Sequence, residues 1–238
     1  MNRITCLFFL LISVVSEAQD KTVIRSNQQW IQHYQHLNIS KKWQLSVDGG
    51  FRWRDDLSQK SQYIARLGVL SKLAKGIQTG GGIAFLGVYD TNELALREFR
   101  IYQEANHRVP LGQSAFIHRF RLEERFFNNV ITGEDQYNWR FRYQVQFNIH
   151  ISSIGQQGTA VFLNIGDEIF LNAGKEIVYN VFDQNRFVVG PAIRFPSGWQ
   201  AGLAYNFQFG AANLPSTYLK SNVFWLTTRY SLDLYKPE

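Results

Sequence analysis

The sequence is poor in the residues that give a chain covalent chemistry and lacks the runs that carry helices through membranes. It contains one cysteine, Cys6, one methionine and five prolines in 238 residues. A single cysteine closes no disulfide within the chain. The longest apolar stretch, Cys6 to Val15, is about 10 residues against the ~20 that a membrane-spanning helix needs. The formal charge of +6 comes with no dense Lys/Arg run. The arginines stand singly at alternating positions, which makes a poor phosphate-binding patch, so no nucleic-acid partner is expected. No phosphate-binding glycine loop is present either. Gly80-Gly81-Gly82 reads as a place where a sheet bends or packs closely.

The apolar stretch near the start has its own explanation. A basic residue, Arg3, precedes it, and the small residues Ser16 and Ala18 follow at the spacing that signal peptidase uses. Residues 1–18 therefore read as a secretory signal peptide and residues 19–238 as a single domain. Cleavage removes Cys6, which also lies too early in the leader to be a lipidated cysteine. No stretch shows convincing helical periodicity, whereas alternation of period two recurs through nearly the whole remaining chain.

The alternation is clearest in WQLSVDGGFRWR and YNWRFRYQVQFNI. In the first, Trp43, Leu45, Val47, Phe51 and Trp53 fall on one face, and Gln44, Ser46, Asp48, Arg52 and Arg54 on the other. In the second, Tyr137, Trp139, Phe141, Tyr143, Val145 and Phe147 oppose Asn138, Arg140, Arg142, Gln144 and Gln146. Noisier runs start near Trp30, Tyr63, Ile77, Leu96, Phe116, Ala160, Phe182, Trp199 and Asn222. Short connections (Ser40 to Lys42, Ala74 to Gly76, Val109 to Gln113, Ser152 to Gly158, Pro196 to Gly198) alternate with longer polar ones (Asp55 to Ser61, Asp90 to Leu94, Asn128 to Gln136, Ala173 to Asn180, Gly210 to Leu219). In a meander, every second connection lies at the same end, so short turns gather at one rim and long loops at the other. The expected fold is all-β: a closed antiparallel up-and-down transmembrane β-barrel of about 12 strands, within a range of 10 to 12. An even count takes its extra strand from Lys21 to Ser26.

Three features turn the apolar face outward, toward lipid. Its aromatic side chains are bulkier in sum than a small barrel interior can hold. The tryptophans fall near strand ends, Trp43 and Trp199 by short turns and Trp53 and Trp139 by long loops, where interfacial aromatics sit. Ten steps from Trp43 to Trp53 span roughly 33 Å, or roughly 25 Å for a strand tilted by about 40°, the height of an outer-membrane barrel's apolar band. Lastly, Arg, Gln, Asn and Glu fill the polar face, while Lys41, Lys42, Lys72 and Lys75 gather near the short turns. The alternative is a soluble periplasmic barrel that holds a ligand against an inward apolar face.

The stretches KKWQLSVDGGFRWRDD, HRFRLEERF, WRFRYQVQF, GDEIFLN and FDQNRFVVG, in this order and spacing, resemble a family of exported barrel-like proteins, the domain of unknown function 2490 family. The resemblance covers most of the chain after the leader. It implies an outer-membrane-type β-barrel of a Gram-negative envelope and brings no activity, substrate or catalytic residue. One departure from outer-membrane barrels in general is the end at Lys236-Pro237-Glu238, in place of the terminal aromatic typical of outer-membrane assembly signals.

The strongest constellation is ionic. Glu98, Arg100 and Glu104 share one polar face, Arg119, Arg121, Glu123 and Arg125 the next, and Arg140 and Arg142 the one after, with Glu168 and Arg186 able to extend the ladder. Arginine suits such a ladder because its planar guanidinium stays charged and holds two carboxylates at once. These pairs either rigidify a filled lumen, the favoured reading, or, with Arg52, Arg54, Arg66 and Arg194, attract a small anionic solute into a narrow channel. A lipid hydrolase is the rival class. His150 and Ser152 share a face but have no acid or Asn beside them, and His33, His36, His107 and His118 have no serine at recognisable spacing, so no enzyme is expected. Asp55, Asp56, Asp90, Glu93, Glu134, Asp135 and Glu176 lack calcium-loop spacing, so no metal is assigned, and no cofactor is implied. The expected partners are outer-membrane lipid and the barrel assembly machinery, and the expected location is the outer membrane.

Overall fold

A computed structural model describes residues 21–155, 158–178, 180–212 and 214–235. The leader and the Lys-Pro-Glu end lie outside the described residues. Eleven strands follow in chain order: β1 (Thr22–Asn38), β2 (Trp43–Arg54), β3 (Gln59–Ala74), β4 (Ile77–Asp90), β5 (Glu93–Leu111), β6 (Ser114–Asn129), β7 (Asp135–Ile154), β8 (Thr159–Ala173), β9 (Phe182–Arg194), β10 (Trp199–Ala211) and β11 (Thr217–Asp233). Each pairs with its sequence neighbours, and β1 closes on β11, so the sheet is a single closed barrel. Each of the alternating runs found in the sequence is one strand.

The count of 11 lies within the expected range, but the extra strand at Lys21 to Ser26 does not form. Thr22 to Ser26 continue into Trp30 as the first half of β1. An odd number of strands leaves the first and last pointing the same way, so the closing seam is parallel rather than antiparallel. It runs unbroken from Thr22 opposite Thr217 to Asn38 opposite Asp233. All other pairs are antiparallel.

The difference between the rims is also smaller than the sequence suggests. The strands absorb much of the polar links, leaving connections at 55–58, 91–92, 130–134, 174–181 and 212–216 at one end. Those at the other end are 39–42, 75–76, 112–113, 155–158 and 195–198. The link Asp90 to Leu94 becomes the shortest at this end, because Thr91 and Asn92 both take positive φ (46° and 70°) and join β4 to β5 as a two-residue hairpin turn.

The two faces of the wall differ in kind. Large apolar side chains stand exposed on the outer face of β1 to β7 and β9 to β11, among them Ile31, Val47, Leu67, Phe85, Ile101, Leu122, Phe141, Phe187, Leu203 and Phe224, the last 59% exposed. Trp43 and Trp199 are also exposed, while Trp53 and Trp139 are half-buried by neighbouring rings. Apolar packing inside is minor, a cluster of Ile64, Ala84 and Leu86. Glu123 and Glu168 rank with Phe170 among the largest fully buried side chains. The centre of this barrel is therefore mainly polar and charged.

Gly80, Gly81 and Gly82 lie in β4, where the sheet packs closely. A Cβ on Gly82 would stand 2.1 Å from the Leu67 carbonyl oxygen and 2.7 Å from the Tyr102 hydroxyl, and one on Gly68 would be 2.5 Å from that hydroxyl. The glycines leave room for the Tyr102 ring inside the wall.

Candidate functional site

The inner faces of β5 to β9 carry the charges. Antiparallel pairing sets Glu104 opposite Arg121, Glu123 opposite Arg140 and Glu168 opposite Arg186. Side chains on such pairs are close enough to meet, and long ones also reach the diagonal position. Arg121 meets Glu104 at 2.5 Å, Arg140 meets Glu123 at 2.6 Å, and Arg186 lies 3.7 Å from Glu168. Diagonal contacts join these rungs: Arg142 bonds both Glu123 and Glu168 at 2.7 Å, and Arg125 reaches Glu98 at 2.5 Å. Arg100 holds Glu98 along its own strand with Nε at 2.5 Å and Nη2 at 2.7 Å. Arg119 passes over β7 to Glu168 at 2.7 Å. Contacts of 3.7 Å from Arg100 and Arg121 to Glu123 complete the connections.

The 11 ladder residues named from the sequence thus meet in one lattice. Glu123 is its hub, 1% exposed and facing four guanidiniums. Most of these side chains are buried, so their mutual attraction is weakly screened, but each also bears a desolvation cost that only complete pairing repays.

The lattice has a twelfth member that alternation hides. Asp183 binds Arg140 at 3.1 Å. By parity with Arg186 it would point outward, but the register shifts so that Phe170 faces Gln184 while Leu171 faces Phe182. This bulge makes Asp183 the extra residue and turns it into the lumen. Seven guanidiniums then face five carboxylates, an excess of two positive charges.

Aromatic rings line the inside as well, although the sequence pattern assigns such residues to the outer face. Phe170 is surrounded by the guanidiniums of Arg142, Arg186 and Arg140 at 4.5, 5.0 and 5.4 Å from its centre. Tyr102 faces Arg121 at 4.4 Å, and Trp30 faces Arg52 at 3.8 Å. A ring face partly replaces the water lost by a buried cation. The sequence signal for Phe170 is its place two residues after Glu168, on the same face.

Other charged candidates lie apart from the lattice. Arg66 binds Asp48 through Nε at 2.9 and 3.0 Å, and Gln32 donates to the same carboxylate at 2.7 Å. Arg54 lies 3.7 Å from the exposed Asp90, and Arg194 sits over Phe162 at 4.6 Å. His150 does not pair with Ser152. The register shifts between these two residues, and His150 Nε2 lies 3.1 Å from Ser153 Oγ instead, at an exposed rim. His118 Nδ1 is 3.0 Å from the Tyr143 hydroxyl and His33 Nδ1 2.9 Å from Thr228 Oγ1. Among the described residues no three His, Cys, Asp or Glu side chains gather as metal ligands. Of the acidic loop residues, Glu176 accepts from the Tyr137 N–H at 2.9 Å and Asp135 from Asn128 at 3.0 Å.

A family model described as "Protein of unknown function (DUF2490)" matches residues 27–217, from β1 to the first residue of β11. The chain belongs to the DUF2490 family. The matched region contains all 12 residues of the lattice. No curated protein matches the chain.

Proposed function

We propose that this DUF2490 barrel is a structural component of a Gram-negative outer membrane, held in lipid by its apolar outer wall and braced across its lumen by the ionic lattice. The observation that carries this reading is the inverted polarity of the wall: Phe224, Leu203 and Ile31 are at least half exposed outside while Glu123, Glu168 and Arg142 are buried inside. A water-soluble barrel has the opposite arrangement, and soluble monomers rarely expose contiguous apolar patches beyond a few hundred Å². Aromatic contacts recur near both rims. Phe51, Trp53, Tyr63 and Tyr89 interact near one, and Trp199, Tyr230 and His33 near the other. Tryptophan and tyrosine favour such positions because their rings are apolar and their N–H or O–H groups reach water. The leader expected at residues 1–18 supplies the export route, and the barrel assembly machinery would insert the wall.

The lattice makes this a braced barrel rather than a wide pore. Bonds from β5 through β9 fill the inner face at mid-height, and Arg186 reaches across to Trp30 on β1, three strands away around the wall. The excess of guanidiniums makes any residual ion path favour anions.

Cell fractionation tests location. The mature chain should stay with the outer membrane until detergent is added and should migrate faster on gels before heating than after. Recovery in the aqueous fraction after lysis without detergent would overturn the membrane assignment. In planar bilayers the folded protein should show no large steps, with any small current carried by anions. Porin-sized steps would overturn the braced lumen.

A further inference from the structure

The lattice occupies the β5 to β9 side of the barrel and leaves a cup of about 240 Å³ against the remaining wall, near the rim with the 55–58 connection. Trp30, Arg52, Ser61, Gln62, Gln184 and Gln208 are among its lining residues. Arg52 differs from the lattice arginines because no described carboxylate lies within ion-pair distance of it. Its guanidinium stacks on Trp30 at 3.8 Å, and one edge donates to Gln62 Oε1. Stacking fixes the plane of the guanidinium and leaves its remaining N–H groups at the edge, the geometry that receives a carboxylate through two parallel bonds.

The surroundings strengthen the preference for an anion. Arg186 lies against the same Trp30 ring at 5.2 Å, and its Nε is buried without a hydrogen-bond partner. Gln208 lines the cup, and its Nε2 is likewise buried without a partner. The one carboxylate in the lining, Asp183, is held by Arg140 at 3.1 Å. Charge recognition is therefore concentrated at Arg52, while amide and hydroxyl groups around it match a ligand with several hydroxyls. The volume, at the small end for ligand sites, suits a single ring or short chain.

We propose that this cup binds a small polyhydroxylated carboxylate, of the sugar-acid or hydroxy-acid class, with the carboxylate on Arg52 and a hydroxyl on the Gln208 amide. The inference rests on the lumen and not on the bilayer, so a barrel found in the aqueous fraction would still bind.

Calorimetric titration of the full mature chain, folded in detergent micelles, tests it with glucuronate, glucose and inorganic phosphate at constant ionic strength. Glucuronate should saturate a single site, with glucose and phosphate each weaker by at least ~10-fold, as expected when a charge-assisted bond or the surrounding hydroxyl contacts are lost. Arg52→Gln should weaken glucuronate by a similar ~10-fold factor with an unchanged far-UV circular dichroism spectrum. Gln208→Leu, which leaves the arginine in place, should weaken it by roughly 5-fold. Absence of saturable binding by glucuronate would overturn the proposal. So would phosphate or glucose binding as tightly, or a folded Arg52→Gln protein binding like wild type. If Arg52→Gln does not fold, unchanged binding by Gln208→Leu overturns it.

Discussion

Replacing Glu123 by glutamine keeps the volume of the lattice hub and removes its charge. Glu123 is buried and accepts bonds from Arg140 at 2.6 and 2.9 Å and from Arg142 at 2.7 Å, with Arg100 and Arg121 at 3.7 Å. In the variant, one amide oxygen replaces two carboxylate oxygens, and an NH2 group faces guanidiniums that are themselves only donors. The excess inside the lattice rises from two positive charges to three. Removing one partner of a buried ion pair costs about 3–5 kcal/mol, because the other charge stays buried without compensation. With a urea dependence of about 2 kcal/mol per molar, a loss of about 4 kcal/mol lowers the unfolding midpoint by about 2 M. Barrels folded into lipid vesicles and titrated with urea, followed by tryptophan fluorescence, provide the measurement. Glu124→Gln is the control: Glu124 faces the other side of the same strand, and its contact is the Tyr137 hydroxyl at 3.3 Å. It removes a charge from the outer face, so it should not lower stability by more than about 0.5 kcal/mol. Raising the salt should leave the difference largely intact, since buried pairs are poorly screened. Equal midpoints for the two variants would refute the claim that Glu123 holds the lumen together.

Leu122→Arg, on the outer face near the middle of β6, separates lipid from water as the solvent of the wall. In vesicles it should cost about 2–4 kcal/mol by urea titration, whereas a water-facing site would tolerate it within about 0.5 kcal/mol. Phe170→Leu keeps an apolar filler but removes the ring that Arg142, Arg186 and Arg140 approach at 4.5 to 5.4 Å. It should cost about 2 kcal/mol in the same assay, and a neutral result would mean the ring only fills space. Asp183→Asn removes a carboxylate that pairs with one lattice guanidinium, that of Arg140, and is 22% exposed at the side chain. Water compensates part of that loss, so the cost should be about 1–2 kcal/mol, and a cost matching Glu123→Gln would contradict the central position of Glu123.

Alternation made the barrel and its charged ladder legible in the sequence. Glu98, Arg121, Glu123, Arg140 and Arg142 could be placed on adjacent polar faces because a strand repeats every second residue and neighbouring strands of a meander must pair. What escaped depends on departures from that repeat. Asp183 enters the lumen only through a bulge, which shifts parity with no composition cue. The inward rings of Trp30, Tyr102 and Phe170 were hidden because the pattern distinguishes apolar from polar residues, whereas a ring facing a guanidinium serves both roles. The extra strand expected at the seam is missing for a different reason. The residues from Thr22 to Ser26 join β1 through continued pairing with β11, a contact between chain ends that local periodicity cannot show.

The charged core is better explained as a device for register than as a source of stability. Well-packed apolar residues often equal or exceed a buried ion lattice in stabilising energy, since each charge gives up its hydration. A barrel wall whose outer face is largely apolar, however, distinguishes poorly between registers along much of its length. A slip of one residue between β6 and β7 would exchange the faces of Arg140 and Arg142 with that of Phe141, moving two guanidiniums outside and separating them from Glu123. In lipid that error is more costly than in water, because a guanidinium on the outer face finds neither solvent nor partner. The same lattice that gives little net energy when complete therefore penalises every mispairing. This explains why the lattice, arginines and carboxylates together, extends across five consecutive strands rather than forming one isolated pair.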